Sequence, residues 1–232
     1  MKTPFRIATT CILFYVVVLF LQHNVKTNVQ EDDIHFIKIY LEGIDRNTRA
    51  QNLNFDEQIA LIHRIQSNVL DISPNGNGIP HYLERRPQNL FQSGQGLCYD
   101  RSYVLELIFK YLGFETRHVS LYWNNPKRFV FTDLTQKGIQ SHAISEVKTK
   151  KGWLIVDSNA KWTGINHLLL PLSIKKLNYN VATIAWATPP PSLFYSKQHH
   201  YIYGLYSRHG KFYPPYNLIP DYNIKELLYN IP

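Results

Sequence analysis

The sequence predicts an α+β domain, helices first and antiparallel strands after, with one cysteine where a loop enters the last long helix. Three observations carry this. Apolar residues recur at helical spacing as far as Leu112. Beyond Gly113 the period changes, and residues 116–123, 129–132, 141–148 and 152–156 are short, β-branched or aromatic, and bounded by turn residues. Between the two regimes lies Gly96-Leu97-Cys98-Tyr99-Asp100-Arg101-Ser102, where a Gly-containing loop gives way to a helical pattern.

The chain begins differently. Lys2 and Arg6 precede residues 7–21, IATTCILFYVVVLFL, which carry no charge. A cleaved signal peptide needs a small-x-small site after its apolar region. Gln22-His23-Asn24-Val25-Lys26 offers none. The expectation is therefore an uncleaved signal anchor over residues 1–22. Its basic N-terminus lies in the cytoplasm and the rest of the chain outside, periplasmic or at the cell surface. Secretion after signal cleavage is the alternative. Residues 23–33 read as a polar linker.

Net charge is +8, or +6 beyond Lys2 and Arg6. This suits anionic surfaces or acidic substrates. The basic residues are scattered, and no zinc-finger, RRM-like or Gly-rich phosphate pattern occurs, so nucleic acid is not expected. The two cysteines make no disulfide framework. Cys11 lies in the apolar run, which leaves Cys98 unpaired. An unpaired thiol in an exported domain is a liability unless it is used.

Residues 34–93 form a helical lead-in. Ile34, Ile37, Tyr40, Leu41 and Ile44 make one stripe. Asn54 and Glu57 have the spacing of a capping box ahead of a second stripe through Phe55, Ile59, Ile62, Ile65 and Val69. His63 reads as a satisfied or surface residue. Residues 71–84, DISPNGNGIPHYLE, resemble an extracellular calcium loop. Only Asp71 and Glu84 of its carboxylates remain, so a plain turn is expected and no metal or cofactor. Residues 87–97 read as a loop leading to Cys98.

From Tyr99 a helical face runs through Val104, Leu105, Ile108, Tyr111 and Leu112, with Gly113 as its C-cap. A thiol in the first turn of a helix faces free N–H groups and the positive end of the dipole, which favours its anion. His142 lies in one strand and Asp157 closes another. If Lys150-Lys151-Gly152 turns the chain, the two come near each other on adjacent strands. A thiolate nucleophile, an imidazole to move its proton and a carboxylate to orient the imidazole form a working set. By spacing alone, a core cysteine, a strand histidine and a turn aspartate fit equally.

The blocks GLCYDRSYVLELIFKYLGFETRHV, SHAISEV and GWLIVDSN, in that order, resemble the signature of the transglutaminase-like superfamily, as in bacterial transglutaminase/protease-like domain proteins. Ser102 stands where that family often has Ala, and Ala143-Ile144 where it often has an aromatic. The resemblance covers residues 94 to about 162, within a domain drawn over 94–185. It implies a papain-like thiol fold with Cys98 at a helix N-terminus packed on an antiparallel sheet, and a triad of Cys98, His142 and Asp157. The Cys98 N–H is one oxyanion donor, with Gln92 as the second and Gln95 as its rival. Trp162 is a candidate wall of the substrate cleft. Trp153 and His118 read as packing residues.

Residues 186–232 hold eight of the 16 tyrosines and seven of the 13 prolines. The prolines forbid long helices, leaving only residues 223–230 for a short one. The aromatics give this extension much to bury, so an arm wrapped over the domain is expected, with a lid or stacking surface as its functional reading. The implied activity is thiol acyl transfer on amide or peptide bonds of cell-envelope peptides or proteins. Hydrolysis is favoured over amine cross-linking because many bacterial relatives are thought to be hydrolases. The alternative is an inactive envelope module presenting the tail to a polysaccharide or protein.

Overall fold

A computed structural model describes residues 14–18, 20–80, 82–123, 134, 138–180, 183–206 and 220–231. Most of the apolar N-terminal run, the segment expected as a strand at 129–132, His81 and the Pro214-Pro215 pair lie outside the described residues. Residues 14–18 and 20–22 are helical, and no described helix is long and apolar enough to cross a membrane.

From Glu31 onward the described residues form four α-helices ahead of the sheet: α1 (Glu31–Tyr40), α2 (Phe55–Ile72), α3 (Pro87–Ser93) and α4 (Cys98–Tyr111). The capping box at α2 forms reciprocally. Glu57 N–H donates to Asn54 Oδ1 at 3.0 Å, and Asn54 N–H donates to Glu57 Oε2 at 2.7 Å. The α3 helix corrects the loop expected over residues 87–97. Pro87 opens it, where the missing N–H costs nothing, and Gly94 closes it at φ 64°. Gly113, at φ 88°, follows the C-cap of α4 as expected.

The sheet is antiparallel, in the order β3-β2-β1-β4: β1 (Thr116–Trp123), β2 (Gln140–Thr149), β3 (Gly152–Val156) and β4 (His200–Tyr203). The β2–β3 hairpin turns where expected, with Thr149 opposite Gly152. Side chains of a strand alternate between faces. Val147, Leu154 and Val156 pack with Ile62, Ile65, Val104 and Ile108 of α2 and α4. Ile144 and Ile155, of the opposite parity, pack with Trp162, Phe194, Tyr195 and Tyr203. The tail therefore covers the sheet's second face and adds β4 beside β1. A short helix α5 (Ile174–Asn180) precedes it. The helix α6 (Ile224–Leu227) and the turn Leu228–Asn230 fall within the expected 223–230 segment.

The calcium-like loop is an anchor for α4. Asn75 bridges Gly96, Gly96 N–H donates to the Pro74 carbonyl at 2.9 Å, and Ile79 N–H donates to Asp100 Oδ2 at 3.2 Å. Asp71 pairs with Lys161 at 2.7 Å. Among the described residues no cluster of three or more metal-ligating side chains occurs.

Candidate active site

Cys98 is the first residue of α4 and is half-buried. Asp100 holds that helix start. Its Oδ2 accepts the Leu97 N–H at 2.9 Å as well as that of Ile79. The first N–H groups of a helix have no partner inside it, so the Cys98 amide is available to an oxyanion. Arg101, one helical turn on, is 1% exposed and reaches Asn75 Oδ1 at 3.2 Å and Asn159 Oδ1. It ties the anchor loop to the loop after Asp157 and places a cation near both Cys98 and Asp157.

His142 and Asp157 meet across the hairpin. The β2–β3 register sets Ser145 opposite Val156, which leaves His142 three residues before that pair and Asp157 one after it. His142 Nε2 lies 2.9 Å from Asp157 Oδ2. The Cys98 thiol lies close enough to the ring to favour its charged form. The three residues singled out in the sequence thus come together, with the imidazole bonded to the carboxylate and near the thiol.

Asp157 is 1% exposed, and both its oxygens are saturated. Oδ1 accepts the N–H groups of Asn159 at 2.6 Å and Ala160 at 2.8 Å. Oδ2 accepts the Tyr195 hydroxyl at 2.5 Å in addition to His142. Burial alone would raise the pKa of this carboxyl. The His142 charge, its hydrogen bond and the other donors outweigh burial and leave it below the usual carboxylate range. His142 shows the converse. Burial opposes its charge, but Asp157 and the neighbouring thiol prevail and push it up to about 10. The pair is held as imidazolium and carboxylate.

Three partners of this pair escaped the sequence reading. Tyr195 and Phe194 come from the tail. Tyr195 donates to Asp157, and the Phe194 ring stacks on His142 at 6.0 Å and 26°. His142 has the strand parity of Ile144, and Asp157 that of Ile155, so both lie on the face the tail covers. Gln66 of α2 is the third. Its buried amide nitrogen reaches the carbonyls of Asp157 at 2.7 Å, Trp162 at 2.8 Å and Ala160 at 3.0 Å, fixing the loop that carries the carboxylate. The only sequence signal for Gln66 was a polar residue beside the apolar stripe of α2.

Other expectations are redistributed. Gln92 is exposed on α3, while the Gln95 side chain folds over Gly76, where a Cβ would meet its Oε1 at 2.0 Å. Trp162 does not wall a cleft. It is 5% exposed, lies 4.5 Å from the Tyr195 ring and 5.2 Å from Trp186, and its indole N–H donates to the Thr188 carbonyl at 3.1 Å. Packing explains it, because its position after the aspartate loop puts it beneath the tail. His118 is fully buried and bonded to Glu106 Oε1 at 2.8 Å, as a packing histidine. Ser102 belongs to the same buried network, 3.0 Å from Ser145 Oγ, which accounts for a serine where Ala is common. His63 is satisfied by Thr163 at 3.1 Å.

Residues 47–158 match the family model described as the transglutaminase-like superfamily. The match ends one residue past Asp157 and begins well before the cysteine block, taking in α2 and α3 with the residues that hold the site. No curated protein matches the chain significantly.

Proposed function

We propose that this chain, a transglutaminase-like superfamily member over residues 47–158, is a cysteine acyl-transfer enzyme with Cys98 as nucleophile. The observation that supports this best is the imidazole of His142, bonded to a carboxylate saturated by four donors and close enough to the Cys98 thiol to have its charge favoured by it. In this reading Cys98 Sγ attacks an amide or peptide carbonyl. A C–S bond forms as negative charge moves to the oxygen, which the Cys98 N–H stabilises. The C–N bond then breaks, and the His142 imidazolium gives its proton to the leaving amine. Water attacks the thioester, neutral His142 takes its proton, the C–S bond breaks and a carboxylic acid leaves. An amine in place of water gives a cross-link. Hydrolysis is the favoured outcome, following the many bacterial relatives thought to be hydrolases.

Asp157 orients the ring through Nε2, which leaves Nδ1 for the thiol, and it supports the imidazolium. Arg101 adds a fixed positive charge near Cys98. The uncharged run at residues 7–21 supports an anchored chain whose domain lies outside the cytoplasm, with envelope peptides or proteins as substrates.

The test is the rate of iodoacetamide labelling of Cys98 at pH 6 to 7, in the wild type and in His142→Ala. An enzyme built as described labels rapidly at that pH, and the variant labels at least about tenfold more slowly, because the imidazolium that favours the thiolate is gone. Equal, slow labelling in both would mean a structural thiol and would return the chain to the binding-module reading. On an identified substrate, Cys98→Ala abolishes turnover with little change in stability.

A further inference from the structure

Away from Cys98, a cavity of about 280 Å³ lies between the end of the apolar N-terminal segment and the turn before α3. Its ionisable lining consists of His23, Lys26, Glu84, Arg85, Arg86 and Asp221, with Tyr103 and Tyr206 behind them. Cys98, His142 and Asp157 do not line it.

The charges in this lining are not equally committed. Arg86 is spent on structure. Its Nε donates to Asp33 Oδ1 at 3.0 Å, its Nη2 pairs with Asp33 Oδ2, and its Nη1 donates to the Tyr103 hydroxyl at 2.9 Å. Asp221 Oδ1 is engaged by His23 at 2.9 Å. Arg85 is different. It is 9% exposed, yet its Nη1 has no hydrogen-bond partner among the described residues. The carboxylate oxygen paired with it, Asp221 Oδ2, lies 3.9 Å away, beyond hydrogen-bond reach. A guanidinium out of water with an unmet N–H is corrected by an anion that accepts it directly. Lys26 stands exposed at the rim. Its main chain is pinned by the Tyr103 hydroxyl, which donates to the Lys26 carbonyl at 2.5 Å.

The cavity's position indicates which anion. Phe14, Tyr15, Val17, Phe20 and Leu21 are 48–70% exposed on the helical residues that lead directly into Gln22 and His23. Tyr222, next to Asp221, ties that helix end to the domain by donating to the Phe20 carbonyl at 2.7 Å. An apolar surface and a cavity that presents Arg85 and Lys26 beside Glu84 and Asp221 are thereby fixed side by side. This is the arrangement that receives a phosphate group joined to an apolar tail.

We propose that this cavity binds a phosphate group, with Arg85 as its principal ligand and Lys26 at its entrance. The phosphate is carried by an anionic lipid headgroup or by a small phosphate ester. The site is independent of the acyl-transfer reading. The test uses the full-length protein in dodecyl maltoside micelles at fixed ionic strength, with the melting temperature followed as each probe is added. One arm titrates glycerol 3-phosphate. The other dopes the micelles with dioleoyl phosphatidylglycerol or, as the uncharged control, dioleoyl phosphatidylcholine.

The expected result is a saturable rise in Tm with at least one phosphate-bearing anion and none with phosphatidylcholine. A rise with phosphatidylglycerol alone identifies the headgroup as the source, and a rise with glycerol 3-phosphate alone identifies a soluble ester. The apparent affinity falls about tenfold in Arg85→Gln, as for the loss of one charge-assisted hydrogen bond, and by severalfold in Lys26→Glu, while His142→Ala leaves it unchanged. Lys26 is exposed, so Lys26→Glu decides the matter if Arg85→Gln does not fold. The proposal is overturned if no probe gives a saturable rise, if phosphatidylcholine matches phosphatidylglycerol, or if Lys26→Glu responds as the wild type does.

Discussion

The aspartate of the site is built by its neighbours more than by its own position. Asp157 takes two backbone N–H groups from its own loop, an imidazole from β2 and a hydroxyl from the tail, and its loop is clamped by Gln66. Removing one donor tests the arrangement. Tyr195→Phe keeps the ring packed on Trp162 and loses one hydrogen bond to a buried charge, at a cost of about 1.5–3 kcal/mol in denaturant unfolding. It also slows Cys98 labelling, because the carboxylate that orients His142 is less firmly held. A Tyr195→Phe protein as stable and as reactive as wild type would show that the hydroxyl does nothing there. The pair also gives stability a pH signature. The folded pKa of Asp157 is depressed, so its contribution is present above the ordinary carboxylate range and lost as pH falls through the folded value. The folded pKa of His142 is raised to about 10, so its contribution is complete below about 6.5 and fades as pH rises toward 10. Asp157→Asn therefore flattens the profile of denaturation midpoint against pH on both sides, while the folded protein still forms. A variant profile parallel to that of wild type would sink the ion-pair assignment.

Among the elements, α4 depends on the loop before it. Gly78, at φ 80°, sits where a Cβ would meet Asp100 Oδ2 at 2.7 Å and Leu97 Cγ at 2.8 Å. Gly78→Ala must push the capping carboxylate or the helix start aside, and it must hold a left-handed backbone. The expected loss is about 1–3 kcal/mol in stability together with slower Cys98 alkylation, since Cys98 adjoins the displaced turn. Unchanged melting and labelling would mean that the loop does not position the helix. The glycine pattern of residues 71–84 was plain in the sequence, but its purpose was not. A calcium loop and an anchor loop need the same turn residues, and only the pairing of Asn75 with Gly96 and of Ile79 with Asp100 separates them. Likewise Pro87 and Gly94 mark both ends of α3, yet seven residues hold too short an apolar stripe for the helical period to show.

Over the whole molecule, the tail completes the domain. It adds β4 to the sheet, covers the face that holds His142 and Asp157, and brings Tyr206 and Glu226 onto the far end of α4. The Tyr206 hydroxyl lies 2.8 Å from Glu106 Oε2 and 2.9 Å from Glu226 Oε2. That hydroxyl has one proton to share between the two carboxyls, which otherwise take donors from His118 and Lys110. Burial, then the Glu106 charge, raises the pKa of Glu226 despite Lys110 and the His118 N–H. A raised carboxyl pKa gives stability that is full below the unfolded value and lost as pH rises through the folded one. Glu226→Gln removes that loss. It gains stability relative to wild type as pH rises above the ordinary carboxylate range in denaturant titrations, and a growing deficit there would refute the raised pKa of Glu226. The sequence by itself determined the α+β order, the α2 cap and the hairpin at Lys150–Gly152, and singled out Cys98, His142 and Asp157 as candidates, because local periodicity, turn chemistry and block spacing are written along the chain. What covers the second face, the hydroxyl on Asp157, the burial of Trp162 and the cavity around Arg85 were decided only by tertiary structure. Each depends on contacts between residues tens to hundreds of positions apart, and no local pattern encodes such contacts.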